Sequence, residues 1–178
     1  MSRLTITEAL AEIKTTNARI LKKREAVMRY FARDAAMRDP LEADGGSKEF
    51  IKRERQAIGD LEERIVQIRT AIQTANLGNT LQVGDKSRTV QAWLNWRRDI
   101  SNGHKGFLGQ MAAHVSQVRQ QAVRQGKTVT DKETSSQGEV LVMVNEQDLA
   151  RQIESLEETL GTLDGKLSLF NATQLVDL

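Results

Sequence analysis

The sequence has no cysteine and a single proline, Pro40, in 178 residues. Without Cys there is no disulfide framework, no thiolate nucleophile and no Cys-based metal site, and a reducing compartment is the natural setting. Aromatic residues make up only 4%. A β-sandwich or barrel wants more of them, with more turn punctuation between strands. The longest apolar run, residues 140–144, is far too short to cross a membrane. The N-terminal stretch reads as having no secretory h-region. What is present is 28% charged and 39% hydrophobic side chains, the mixture of a helix-rich chain. The length suits one domain, 1–178, with a core that needs no staples.

Net charge is only +2, yet residues 139–178 hold eight acidic and two basic side chains, which makes the tail −6 and the rest +8. A basic surface attracts anions, nucleic acid included. Here Arg and Lys alternate with Glu, as in RERQAIGDLEER, which is the pattern of a solvated helix face. With only two Trp and no aromatic stripe interleaved with Lys or Arg, nucleic acid is not an expected partner, and weak, non-specific binding at most is expected.

Hydrophobic spacing predicts four helices. Thr5 and Glu8 form a capping-box pattern ahead of a seam of Ile6, Leu10, Ile13, Asn17, Ile20, Arg24, Val27 and Phe31. Asp39-Pro40 and Gly45-Gly46 mark a loop. A second helix from near Ser47 carries Ile51, Glu54, Ile58, Leu61, Ile65, Ile68, Ile72 and Ala75 at the same spacing, making an antiparallel hairpin with Glu54 toward the Arg24 end. Thr89 caps a third helix reaching about Gln125, with a kink or break expected near 101–106 from Gly103, Gly106 and Gly109. Residues 126–138 read as a polar loop and 139–144 as a short strand. Asn145 and Asp148 cap a fourth helix with the seam Leu149, Ile153, Leu156, Leu160, Leu163, Leu167 and Phe170. Asn17, Arg24 and Glu54 are polar seam positions, which favour one register and a specific homo-oligomer if buried; the competing reading is that they lie near the ends of the seam and are wet.

The two halves resemble each other. Ser2-Arg3-Leu4-Thr5-Ile6 leads into the first helix and Ser87-Arg88-Thr89-Val90 into the third, so that Leu10 falls on Leu94. The second helix leaves through Asn76 and Thr80-Leu-Gln-Val, the fourth through Asn171-Ala-Thr173-Gln-Leu-Val. An internal duplication follows, with repeats 1–83 and 84–178. The expected fold class is mainly α, a four-helix antiparallel bundle from two helical hairpins with short β-strands gathered at one end as a small sheet.

Chemistry concentrates in residues 76–99: Asn76, Asn79, Thr80, Arg88, Trp93, Trp96, Arg97, Arg98 and Asp99. Guanidinium groups bind phosphate in a forked geometry and indoles offer a stacking face. The set suits a small phosphorylated, ring-containing ligand. Its competing reading is structural, with Trp93 packed, Arg97 and Asp99 in ordinary ion pairs and Asn76 a helix C-cap. His104 lies near the seam as a core or pocket histidine. His114 is ten residues, about 15 Å, further along the helix, so one metal cannot use both. No nucleophile elbow, Walker loop or facing carboxylate pair occurs. No metal, no cofactor and no enzymatic activity are expected.

A long helix ending at Asn76, a nearby Thr80, a short Gly turn and a helix opening with Arg98-Asp99 resemble the septicolysin-labelled family of small helical bacterial and phage proteins. The resemblance covers roughly 60–178, the first helix being similar mainly in character. It implies an all-helical oligomer and no particular reaction. The cytolysin suggested by the family label is set aside, because the chain has neither a signal peptide nor an amphipathic membrane segment. The leading expectation is a non-enzymatic, homo-oligomeric protein of the cytoplasm (the bacterial host's, if phage-encoded) that sequesters a nucleotide-like ligand. The class of phage sponges for nucleotide immune signals accommodates such a chain. The alternative is a phage structural, adaptor or protein-interaction protein acting through its helical seams.

Overall fold

The computed structural model describes residues 3–131 and 138–178. Most of them are helical: α1 (Ile6–Arg29), α2 (Gly46–Gly78), α3 (Val90–Asn95), α4 (Asn102–Arg124) and α5 (Glu146–Thr173). Between α3 and α4 the helix does not break but widens into a π turn, Trp96–Ser101. The strands are short: β1 (Arg3–Thr5), β2 (Thr80–Val83), β3 (Lys86–Thr89), β4 (Thr128–Thr130), β5 (Glu139–Leu141) and β6 (Leu175–Asp177). Two compact units emerge, one holding the chain up to Gly78 with 168–178, the other 79–167.

In the first unit, the Thr5 hydroxyl accepts from the Glu8 N–H while the Glu8 carboxylate accepts from the Thr5 N–H, completing the capping box that starts α1. Ile6, Ala9, Ile13, Thr16 and Ile20 form the buried side of α1. Leu10, Asn17, Arg24 and Phe31 are exposed, so the single seam read from the sequence divides into two stripes. The reason is geometric: one neighbouring helix covers a narrow stripe, and α2 covers only the first. Ion pairs run along the antiparallel hairpin, Glu12 with Arg64 at 2.8 Å, Lys23 with Glu54 at 2.8 Å and Arg24 with Glu62 at 2.6 Å. Glu54 thus meets Lys23 and not its neighbour Arg24. Between α1 and α2, Asp39 accepts from the Leu41 N–H, the Ser47 N–H and the Ser47 hydroxyl. Those bonds hold its carboxyl at about 2, well under the usual 3.8. β1 pairs antiparallel with β6, Leu4 opposite Val176, and the Ile6 N–H donates to the Gln174 carbonyl at 3.0 Å.

In the second unit, β2 and β3 form a hairpin through Gly84, whose φ of 59° is the left-handed turn conformation glycine allows. Thr89 caps α3 by accepting from the Ala92 N–H at 3.1 Å, and the Val90 N–H donates to the Asn79 carbonyl at 2.9 Å. α5 lies antiparallel to the π turn and α4, tied by Arg97–Asp164, Lys105–Glu157 and Arg119–Glu146. Leu108, Leu149 and Leu156 are buried together, with Trp96, Met111, Val144, Ile153 and Leu160 packed against them. As the spacing predicted, Asn145 accepts from the Asp148 N–H at the start of α5.

Three expectations change. The strands make three separate two-stranded ladders, not one sheet at one end: β2–β3 precedes α3, whereas β4 and β5 pair in parallel past the far end of α4. Each strand has three or four residues, at the short end of the usual range. Gly103, Gly106 and Gly109 sit in regular α4 with open space where a Cβ would stand. The helical irregularity is the π turn before them. Within the expected polar loop 126–138, Thr128–Thr130 is a strand, while 132–137, like Ser2, lie outside the described residues.

Candidate functional site

Trp93 points inward from the first turn of α3 and is 1% exposed. Its indole N–H donates to the Leu81 carbonyl at 2.9 Å. The Arg88 guanidinium lies over its ring, 4.9 Å from the centroid, and Trp96 meets it edge-on at 5.5 Å. Lys166 of α5 donates to the neighbouring Gln82 carbonyl. Trp93 and Arg88 therefore latch the β2–β3 hairpin to α3, which is a packing role.

The remaining residues of the expected site are distributed around the helix. Arg97 and Arg98 line one groove of about 650 Å³, together with Gln91, Leu94, Asn102 and Leu160. Trp96 and His104 line a different one of about 590 Å³, with Ile100 and Arg151. Asn76 is buried near the end of α2 and belongs to the first unit. Asn79 gives its carbonyl to the Val90 N–H, and Thr80 is exposed opposite Thr89 in the ladder. Neither lines the Arg groove.

The π turn shapes that groove. In an α-helix, adjacent side chains diverge by about 100°, so only one of two neighbouring arginines faces a given groove. The wider i→i+5 turn reduces that divergence, and Arg97 and Arg98 both reach the same rim. Ser101, 1% exposed, donates its hydroxyl to the Arg97 carbonyl at 2.7 Å. Arg97 pairs with Asp164 at 3.1 Å. Arg98 grips the Asp99 carboxylate with two bonds, 2.7 and 2.8 Å, which hold Asp99 below the usual carboxylate range and raise Arg98. Both pairs are exposed enough to exchange partners readily.

Sequence reasoning missed Gln91, Asn102, Leu160 and Asp164. The signal for Asp164 was the fold-back of the last helix on the third, which sets late acidic residues beside early basic ones. Among the described residues, no group of three or more His, Asp or Glu side chains is arranged to hold a metal ion, and no helix is long and apolar enough to cross a membrane. No family model, curated protein or solved structure matches the chain.

Proposed function

We propose that the protein is a non-enzymatic, self-associating helical protein of the cytoplasm that binds a small phosphate-bearing, nucleotide-like ligand in the groove beside the π turn. The observation that carries this reading is the placement of Arg97 and Arg98 on one rim. An arriving phosphate replaces Asp164 or Asp99 as their partner. Exposed pairs of that kind contribute about 0–1 kcal/mol, against about 1.5–3 kcal/mol for a charged hydrogen bond to a bound anion. Gln91 and Asn102 supply amides, and Leu94 and Leu160 an apolar wall for a ring. A volume of about 650 Å³ lies within the range of small-molecule sites.

The same proposal holds the chain to be a duplicated hairpin, for which an antiparallel four-helix bundle is the natural architecture. Support comes from the two corners, where Ile6 N–H to Gln174 O and Val90 N–H to Asn79 O are equivalent bonds beside equivalent Thr caps. Lining up the halves pairs Thr5 with Thr89, Leu10 with Leu94 and Lys14 with Arg98. After one inserted residue, it pairs buried Thr16 with buried Ser101 and Asn17 with Asn102. The insertion falls inside the π turn, and such turns are typically single-turn bulges in an α-helix.

Calorimetric titration with linear and cyclic nucleotides tests the ligand reading. Wild type should release heat with at least one, and Arg97→Ala and Arg98→Ala should each weaken binding about tenfold or more. No heat with any nucleotide overturns it. The adaptor or protein-interaction reading is favoured by a different observation, the exposed apolar side chains Met28, Phe31 and Met143.

A further inference from the structure

We infer that the outer stripe of α1 docks against the same stripe of a second copy, antiparallel and about a two-fold axis. The inference rests on the self-association proposed above and assigns its surface. Leu10, Lys14, Asn17, Leu21, Arg24 and Met28 alternate four and three residues apart, the spacing of a helix-packing seam. The adjoining stripe, with Ile6, Ile13 and Ile20, is 1–6% exposed against α2, whereas Leu10, Leu21 and Met28 are 48%, 59% and 72% exposed. A groove of about 510 Å³ lined by Asn17, Leu21, Arg24, Glu62 and Ile65 opens beside it. The stripe is about 27 Å long at 1.5 Å per residue, with three exposed apolar side chains, Leu10, Leu21 and Met28, set among Lys14, Asn17 and Arg24, and it borders the buried stripe of α1.

Charge identifies the occupant. Lys23, Arg24, Glu12, Glu54, Glu62 and Arg64 all have partners inside the hairpin. Lys14 and Glu25, both exposed, have none among the described residues. They stand on the same flank of the stripe, about 16 Å apart along the axis. A two-fold contact requires that if one residue meets another, the reverse contact forms as well. An axis near Arg19 and Ile20 brings Lys14 of each copy to Glu25 of the other, Leu10 close to Met28, and Ala18 close to Leu21. The small Ala18 gives Leu21 room. A parallel arrangement would set Lys14 on Lys14 and Arg24 on Arg24, and like charges disfavour it.

Sedimentation of the full chain tests the contact, with circular dichroism confirming that each variant stays helical. Wild type should sediment as a dimer or larger species, and Leu21→Lys should reduce it. Lys14→Glu and Glu25→Lys should each weaken association by roughly tenfold, two pairs being lost per dimer. The double variant Lys14→Glu/Glu25→Lys should restore the wild-type value, a rescue that a merely destabilised helix would not give. A double variant as weak as either single one overturns the inference. So does an oligomer indifferent to Leu21→Lys, which leaves self-association standing on another surface. A monomeric wild type, with the stripe covered within one chain or left bare, overturns both together.

Discussion

Trp93 and Asp39 each do their work through hydrogen bonds that the sequence alone does not announce. Trp93→Ala removes a fully buried indole and should cost about 3–5 kcal/mol, lowering Tm by roughly 2–4 °C for each of them. Trp93→Phe keeps most of the apolar contact but leaves the Leu81 carbonyl without its donor, so its loss should be visibly smaller in the same thermal scan. Asp39 predicts an acid-sensitive loop. Its folded carboxyl titrates at about 2 and its ordinary value is 3.8, so the folded state favours the ionised form. The stabilisation is fully present above about pH 4 and is lost as pH falls through about 2. Asp39→Asn should therefore melt below wild type at neutral pH and converge with it between pH 4 and 2. A constant gap across that window would remove the carboxylate from the account.

At the scale of elements, the π turn makes the sharpest prediction. Deleting Ile100, which is exposed, should return Trp96–Ser101 to regular α-helix while leaving α3 and α4 in phase. Helical dichroism and Tm should then hold or rise, and nucleotide heat should disappear as Arg97 and Arg98 diverge. Loss of the fold would argue that the turn is not an insertion. The helices themselves were legible: the capping box of α1, the Asn145 cap of α5 and the seams of α2 and α5 all follow from residue spacing. The division of the α1 seam was not, because spacing gives a face its apolar character without saying how many neighbours share it. The π turn was hidden too, since no residue type marks one extra residue and the nearby glycines drew attention to the wrong place. Within the candidate site the Trp and Arg cluster was legible as a segment. Its members separate because consecutive helical residues point around the axis, so Trp93 turns inward, Trp96 to one groove and Arg97 to another.

For the whole molecule, the charge asymmetry along the chain largely disappears in three dimensions. The first unit carries fifteen basic and thirteen acidic residues, the second eleven of each, and in the second α5 brings its carboxylates to Arg97 of the π turn and to Lys105 and Arg119 of α4. Duplex or single-stranded nucleic acid should bind weakly at physiological salt and more weakly as salt rises. Sub-micromolar, sequence-selective binding in a filter or anisotropy assay would reverse that ranking. The β1–β6 ladder has a different consequence. It is held at one end by the Arg3–Asp177 pair at 2.8 Å and at the other by the Ile6 N–H to Gln174 bond, the counterpart of the Val90 N–H to Asn79 bond at the open end of β2–β3. Of the two antiparallel ladders, β2–β3 is closed by a covalent turn and β1–β6 by non-covalent contacts alone. Joining Asp177 to Arg3 through a short glycine turn, and cutting at Gly84-Asp85, would exchange the two roles. Such a circular permutant should fold to the same helical content by circular dichroism, and a permutant that loses its helix would show that the β1–β6 ladder cannot take the place of a covalent turn.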